Sequence, residues 1–323
     1  MAVLEKASST LQVLSLRRIP YNESGGWFDF KKIKKLQRLA KLTVAGRAID
    51  TDVLVDFLCA HASTLEQLHL TSSDISESVL QVVSSKMLCL KHLSVSAESS
   101  EPFPRVIPRR HPHHRERQQQ SLTRRNEQQP QSIHQQQNRL HTRTSRRLLH
   151  RTRSFIEFPV PSIPQNFHLL TQLPAIQEID LSGMRLSDAA IQSLGSIQSL
   201  QSLWLADSGK NPDNAVTRDG LLVFASILSS NKNALRHLAL GYFPSMDDTV
   251  MAAFGEIRSL RSLCITSCAG VTDTGLENFL DTAPLSTCFT VIRIYHCKRL
   301  TESGVQYAYN KLGRANVSYW HSL

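Results

Sequence analysis

LRSLCITSCAGVTDTGL (Leu260–Leu276) and FTVIRIYHCKRLTESGV (Phe289–Val305) are one pattern written twice. Leu260, Leu263, Ile265, Cys268, Val271, Thr272, Asp273 and Gly275 fall on Phe289, Ile292, Ile294, Cys297, Leu300, Thr301, Glu302 and Gly304, at a period of 29 residues. Recurrence at a fixed period of roughly 20–50 residues marks a repeat architecture. Such an array offers a long binding surface more readily than a catalytic pocket.

The first half of the pattern, apolar-x-x-apolar-x-apolar, occurs nine times, starting at Leu11, Leu39, Leu65, Leu90, Ile176, Leu200, Leu235, Leu260 and Phe289. Its period-two portion, such as Leu68-His69-Leu70, sends alternate side chains to opposite faces of a short strand. A capping residue and a helical apolar pattern follow most of these strands. The assigned caps are Asp50, Ser76, Ser187, Thr217, Asp247, Thr272 and Thr301, each with an oxygen able to accept from the free amides of a helix N-terminus, worth about 1 kcal/mol. Glu77, Asp188, Asp248, Asp273 and Glu302 come next, where negative charge suits the positive end of the helix. After Asp50 the helical face is Val53, Leu54, Phe57 and Leu58. After Thr272 it is Leu276, Phe279 and Leu280, with Pro284 beyond.

One unit is therefore strand, tight loop, capped helix, return. No unit can bury its apolar side alone, and stacked units share one core. Parallel strands with helical crossovers predict an α/β fold, a leucine-rich-repeat solenoid or horseshoe of about nine strand–helix repeats, with strands on the concave face.

The two cysteine-bearing repeats resemble the cysteine-containing leucine-rich repeats of F-box/LRR proteins, the substrate receptors of SCF ubiquitin ligases. The other repeats match as generic members of the class, with Ser, Ala or Gly near the cysteine position. The resemblance spans most of residues 11–95 and 162–312 and implies a protein-binding module for substrate recognition in ubiquitin ligation, with a protein substrate or adaptor as partner. In that family a helical F-box of about 40 residues precedes the repeats. Here Leu11 already opens a strand, so no F-box is expected in this chain and contact with the ligase core is expected only of a longer form.

The net charge of +10 has one source. Residues 101–154 hold 13 Arg and 3 Glu, and the rest of the chain holds 24 basic and 24 acidic residues. Three segments follow: N-terminal repeats at 1–100, an Arg/Gln/His-rich insertion at 101–160, expected to be disordered, and C-terminal repeats with an end cap at 161–323. The insertion has sparse, aperiodic apolar residues. It falls between the strand at Leu90–Val95 and a helix expected through Leu169, Leu170 and Leu173. Loop closure costs only about 0.6 kcal/mol per doubling of length, so a solenoid tolerates it.

Three readings of the insertion stand side by side. It is a low-complexity loop without a role. Or Arg109, Arg110, Arg115, Arg117, Arg124, Arg125, Arg146 and Arg147 bind RNA, DNA or an acidic protein, mainly through phosphate or carboxylate, since no aromatic lies between Phe103 and Phe155. Or Ser154, in Arg151-Thr152-Arg153-Ser154, is a basophilic phosphorylation site that lowers the local charge.

No HExxH, GxSxG or GxGxxG motif is present, and no catalytic residue, cofactor or metal is expected. Cys268 and Cys297 suit burial in successive repeats, and no second cysteine pair completes a zinc site. His113-His114 is a weak metal motif. The loop Asp207–Asn214 has Lys210 after Gly209 but lacks the rest of a phosphate loop, and reads as an extended turn at the rim of the concave face. No apolar run approaches the roughly 18–20 residues of a membrane span. The opening residues Met1-Ala2-Val3-Leu4-Glu5-Lys6 lack the basic and long apolar regions of a signal peptide, so none is expected. The six scattered cysteines read as free thiols in a reducing compartment, cytoplasmic or nuclear.

The strand register predicts the outward residues of the concave face: Lys41, His69, His92, Glu178, Asp180, Trp204, His237, Arg293 and Tyr295. Trp204, between Leu203 and Leu205, is the candidate anchor, because Trp, Tyr and Arg dominate binding hot spots. Packing under the 207–214 loop is its alternative role. Tyr242 and Phe243, just past the next strand, are expected to extend the same apolar patch.

Overall fold

A computed structural model describes residues 9–17, 36–45, 51–71, 76–96, 167–206, 208, 215–230, 234–285 and 288–320. All belong to one unit, built from Met1–Glu101 and Val160–Leu323. The 101–160 segment, with the arginines named above, His113, His114 and Ser154, lies outside the described residues, as do Asp50 and most of the 207–214 loop.

Among the described residues ten strands form one parallel sheet in strict chain order. They are β1 (Val13–Arg17), β2 (Lys41–Ala45), β3 (Gln67–Thr71), β4 (His92–Ser96), β5 (Glu178–Asp180), β6 (Ser202–Leu205), β7 (His237–Gly241), β8 (Ser262–Thr266), β9 (Val291–Tyr295) and β10 (Val317–Trp320). Each pairs only with its chain neighbours, so among the described strands β1 and β10 are the two ends of the sheet. Parallel pairing needs a crossover between strands. Seven described helices supply it: α1 (Thr51–His61), α2 (Glu77–Lys86), α3 (Asp188–Gly195), α4 (Arg218–Ser230), α5 (Asp248–Gly255), α6 (Asp273–Thr282) and α7 (Glu302–Leu312). The expected leucine-rich-repeat-like α/β solenoid is the fold observed.

One core runs the length of the stack. The inward strand residues, such as Leu42, Leu68, Leu93, Ile179, Leu203, Leu238, Leu263 and Ile292, are all 2% exposed or less. They pack against helix residues including Phe57, Leu80, Ile191, Phe224, Phe254 and Phe279. Phe224 and Phe254 meet edge to face across α4 and α5, with ring centroids 6.2 Å apart, a favoured aromatic geometry.

The structure departs from the sequence reading in three elements. A tenth strand, β10, follows the nine that the apolar pattern marks. Between β4 and β5 the expected helix is a 3-10 turn at Phe167–Gln172 that buries Phe167 and Leu170, with Leu173 buried just after it. β4 and β5 nonetheless pair directly, His92 beside Glu178 and Leu93 beside Ile179, although the paired residues are 86 positions apart against 25 for β3 and β4. The third departure is Phe243, which is fully buried and takes no part in a surface patch.

Phe243 fills the slot that Cys268 and Cys297 fill in the next two repeats, and Met184 and Ser208 fill it in the two before. The residue ahead of the slot has a left-handed backbone in four repeats: Gly183 (φ 77°), Tyr242 (61°), Ser267 (52°) and His296 (55°). Each of these amides donates to a carbonyl at the end of the next strand, Ala206, Thr266, Tyr295 and Trp320, at 2.8 Å. The kink turns the chain inward and the bond ties it to its neighbour. It also aims the thiols of Cys268 and Cys297 at the carbonyls two residues back, Thr266 and Tyr295, both at 3.5 Å.

The helix N-termini hold a second regularity. Ser187, Thr217, Asp247 and Thr301 accept from amides of the helices they open. Ser76 and Thr272 make no such bond, contrary to expectation. The acid after the cap does more than face its own helix, because it reaches the next repeat. Asp188 accepts from the amide and hydroxyl of Thr217, at 2.8 and 2.7 Å. Asp248 accepts the same pair from Thr272, at 2.7 and 2.6 Å. Asp273 does so with Thr301. Room for each carboxylate comes from a glycine three residues past the receiving cap. A Cβ on Gly220, Gly275 or Gly304 would overlap Asp188, Asp248 or Asp273.

At the α4–α5 junction the polarity is reversed. Arg218 replaces the acid and Asp247 replaces the threonine, joined Nε to Oδ2 at 2.6 Å. Val250 occupies the glycine position there and is buried in the core.

Candidate functional site

The sheet face turned away from the helices is built from alternate strand residues, and the register places them in rows. One row is Lys41, Gln67, His92, Glu178, Ser202, His237, Ser262 and Val291. The next is Thr43, His69, Ser94, Asp180, Trp204, Ala239, Cys264, Arg293 and Ser318. Tyr295 lies one row on, between Thr266 and Trp320. The nine residues expected on this face therefore share it, all of them half-buried. Sequence reasoning did not single out Ala239, Cys264 and Thr266, which form a floor of small, buried side chains between Trp204 on one side and Arg293 and Tyr295 on the other.

The face divides by charge. On β3–β5 the charged groups satisfy one another. Lys91 donates to Glu66 at 2.9 Å, and His92 Nδ1 lies 2.9 Å from Glu178 Oε2. Ser94 and the hydroxyl of Ser182 donate to Asp180, at 3.3 and 2.6 Å. On β7–β9 the groups are cationic. Arg236 and Arg261, each just before its strand, are exposed and hold equivalent places in neighbouring repeats. Arg293 donates to Ser262 Oγ at 3.2 Å. None of these three guanidiniums has an ion pair among the described residues. Burial, then Arg236, Arg293 and Arg261, hold the His237 pKa below the ordinary imidazole value, with Glu178 opposing.

Trp204 Nε1 is buried and has no hydrogen-bond partner among the described residues. A buried donor left unpaired costs about 1–3 kcal/mol.

The buried thiols do not make a reactive centre. Burial pushes Cys268 up to about 12 and Cys264 and Cys297 up to about 11, so they stay protonated and poorly nucleophilic. Among the described residues no group of three His, Cys, Asp or Glu side chains is arranged to hold a metal ion. No described helix is long and apolar enough to cross a membrane.

No family model matches this chain, and no curated protein does. Among solved structures it is similar to a chain in the "Crystal structure of Rad7 and Elc1 complex in yeast", with 12% identity and a TM-score of 0.43 over 91% of this chain and 70% of that one.

Proposed function

We propose that this protein is a non-catalytic recognition module that captures a protein partner on the helix-free face of its sheet. The observation that carries the reading is the half-buried Trp204, set among outward rows that run unbroken from β2 to β9. Strand residues hold such a surface rigidly, which lowers the ordering cost of association. The finer reading, capture of a substrate for ubiquitin ligation, rests on the resemblance of the Cys268 and Cys297 repeats to those of F-box/LRR receptors. A ubiquitin-independent adaptor would use the same face.

Affinity purification with mass spectrometry, comparing the wild-type chain with Trp204→Ala, tests the reading. Partners captured by wild type are expected to weaken by about 2 kcal/mol, roughly thirtyfold, as for a central aromatic anchor. Unchanged capture would discard Trp204 as the anchor. A second reading is favoured by the confinement of the excess positive charge to residues 101–154, namely polyanion binding through that segment. Deleting residues 101–160 separates the two. Partner capture survives the deletion under the first reading and is abolished under the second.

A further inference from the structure

We propose that the β6–β9 part of the helix-free face docks a short acidic peptide segment, its carboxylates meeting Arg236, Arg261 and Arg293 and its apolar side chains lying against the Trp204 indole. The inference rests on the reading of this face as a partner surface and specifies the partner's chemistry.

Three observations lead to it. First, Arg236 and Arg261 precede paired residues of adjacent strands, His237 and Ser262, and strands in a sheet are spaced by about 4.8 Å. Like charges at facing positions are destabilising, yet no described acid neutralises either arginine. A bound anion would relieve that repulsion. Second, the acids nearest along the face are already engaged: Glu66 by Lys91, Glu178 by His92, and Asp180 by Ser94 and Ser182. They do not compete for the guanidiniums. Third, the floor between Trp204 and Arg293 is made of Ala239 and Cys264, small enough for an extended backbone to approach.

A peptide fits these observations better than a nucleic acid. Outside residues 101–154 the chain carries 24 basic and 24 acidic residues, so there is no general positive field to draw in a polyphosphate. The positive charge on the face is local, and it adjoins an indole and a phenol suited to the apolar side chains of a peptide.

The test is fluorescence anisotropy on the full chain at physiological salt. The probes are a labelled peptide of Asp-Leu-Ser-Glu repeats, its amide counterpart of Asn-Leu-Ser-Gln repeats, and oligouridylate. The acidic peptide is expected to bind at least about tenfold tighter than the amide peptide, equivalent to about 1.4 kcal/mol. Arg236→Ser with Arg261→Ser changes only exposed side chains, and circular dichroism confirms its folding. It is expected to weaken the acidic peptide about fivefold or more, within the range of charge-pair effects at interfaces. Serine replacement of Arg109, Arg110, Arg115, Arg117, Arg124 and Arg125 is expected to leave binding within about twofold, because the site is on the sheet.

Three results would overturn the proposal: equal binding of the acidic and amide peptides, loss of binding in the insertion variant alone, or oligouridylate displacing the peptide in a manner that depends on Arg236 and Arg261. If Trp204→Ala still abolishes capture of protein partners while the peptides bind alike, only the acidic specificity fails. If capture responds to neither Trp204→Ala nor the arginine pair, the partner-surface reading fails with it.

Discussion

The α5–α6 and α4–α5 junctions join neighbouring repeats at the same place with opposite polarity. At α5–α6 an acid from one repeat, Asp248, accepts the amide and hydroxyl of the next repeat's Thr272, and Gly275 leaves space for it. At α4–α5 a cation, Arg218, donates to an acid, Asp247, and the glycine position holds Val250. What persists between them is a charge-assisted link across the helix N-termini, made with whichever side chains complement one another. The difference lies in reach and solvation. The Asp248 carboxylate sits close against the next backbone and forms two part-buried bonds. The Arg218–Asp247 pair is 46% and 37% exposed and forms one.

The comparison breaks most severely at the glycine. Gly275→Ala places a Cβ into the Asp248 carboxylate and 2.8 Å from its Cα, and is expected to cost about 3 kcal/mol in urea unfolding, the upper range for overpacking. Part of that cost, the share due to the carboxylate, is expected to be lifted when Asp248→Ala is already present, while the contact with the Cα of residue 248 remains. Asp248→Ala alone is expected to cost about 2 kcal/mol for its two charge-assisted bonds. An equal loss in the single and double glycine variants would show that the carboxylate is not what the glycine accommodates.

Arg218→Ala sharpens the contrast from the other side. An exposed ion pair is worth about 0.2–1 kcal/mol and is screened by salt. The variant should therefore lose little stability, and the loss should vanish in molar salt, whereas that of Asp248→Ala should persist. Acid gives the smallest effect. Burial raises the Asp247 pKa, but the Val250 amide and the Arg218 guanidinium outweigh it and hold the carboxyl below its usual range. A carboxyl depressed in the folded state contributes stability that is complete above its unfolded pKa, about 4, and is lost as pH falls through the folded value. The gap in melting temperature between wild type and Arg218→Ala should close below about pH 4. A gap that widened in acid would contradict the pairing.

These junctions also mark where the sequence ceased to be readable. Nine strands were legible because leucines two and three residues apart obey a local rule. β10 escaped because Arg314 stands where the other repeats carry the leading Leu, Ile or Phe, leaving only Val317 and Tyr319 to point inward. The recurring Thr-acid-x-Gly was visible as a motif. Its purpose was not, because the glycine serves a carboxylate in the preceding repeat and no rule within one helix can say so. Arg218 and Asp247 were harder still, since both partners depart from the motif together and each looks like an isolated exception. On the helix-free face, alternation placed the outward side chains correctly. It could not tell that Glu178 is held by His92 while Arg236 and Arg261 are held by no described acid, because that depends on which strands become neighbours.

The direct pairing of β4 with β5 makes the chain's longest sequence gap one of its shortest spatial ones. Strands β1–β4 and β5–β10 are thus two polypeptide segments joined through an ordinary seam of main-chain bonds and shared leucines. A protease cut within residues 101–159 would leave that seam unchanged. The two fragments should remain together as a nicked complex and, once separated, should recombine as complementary halves.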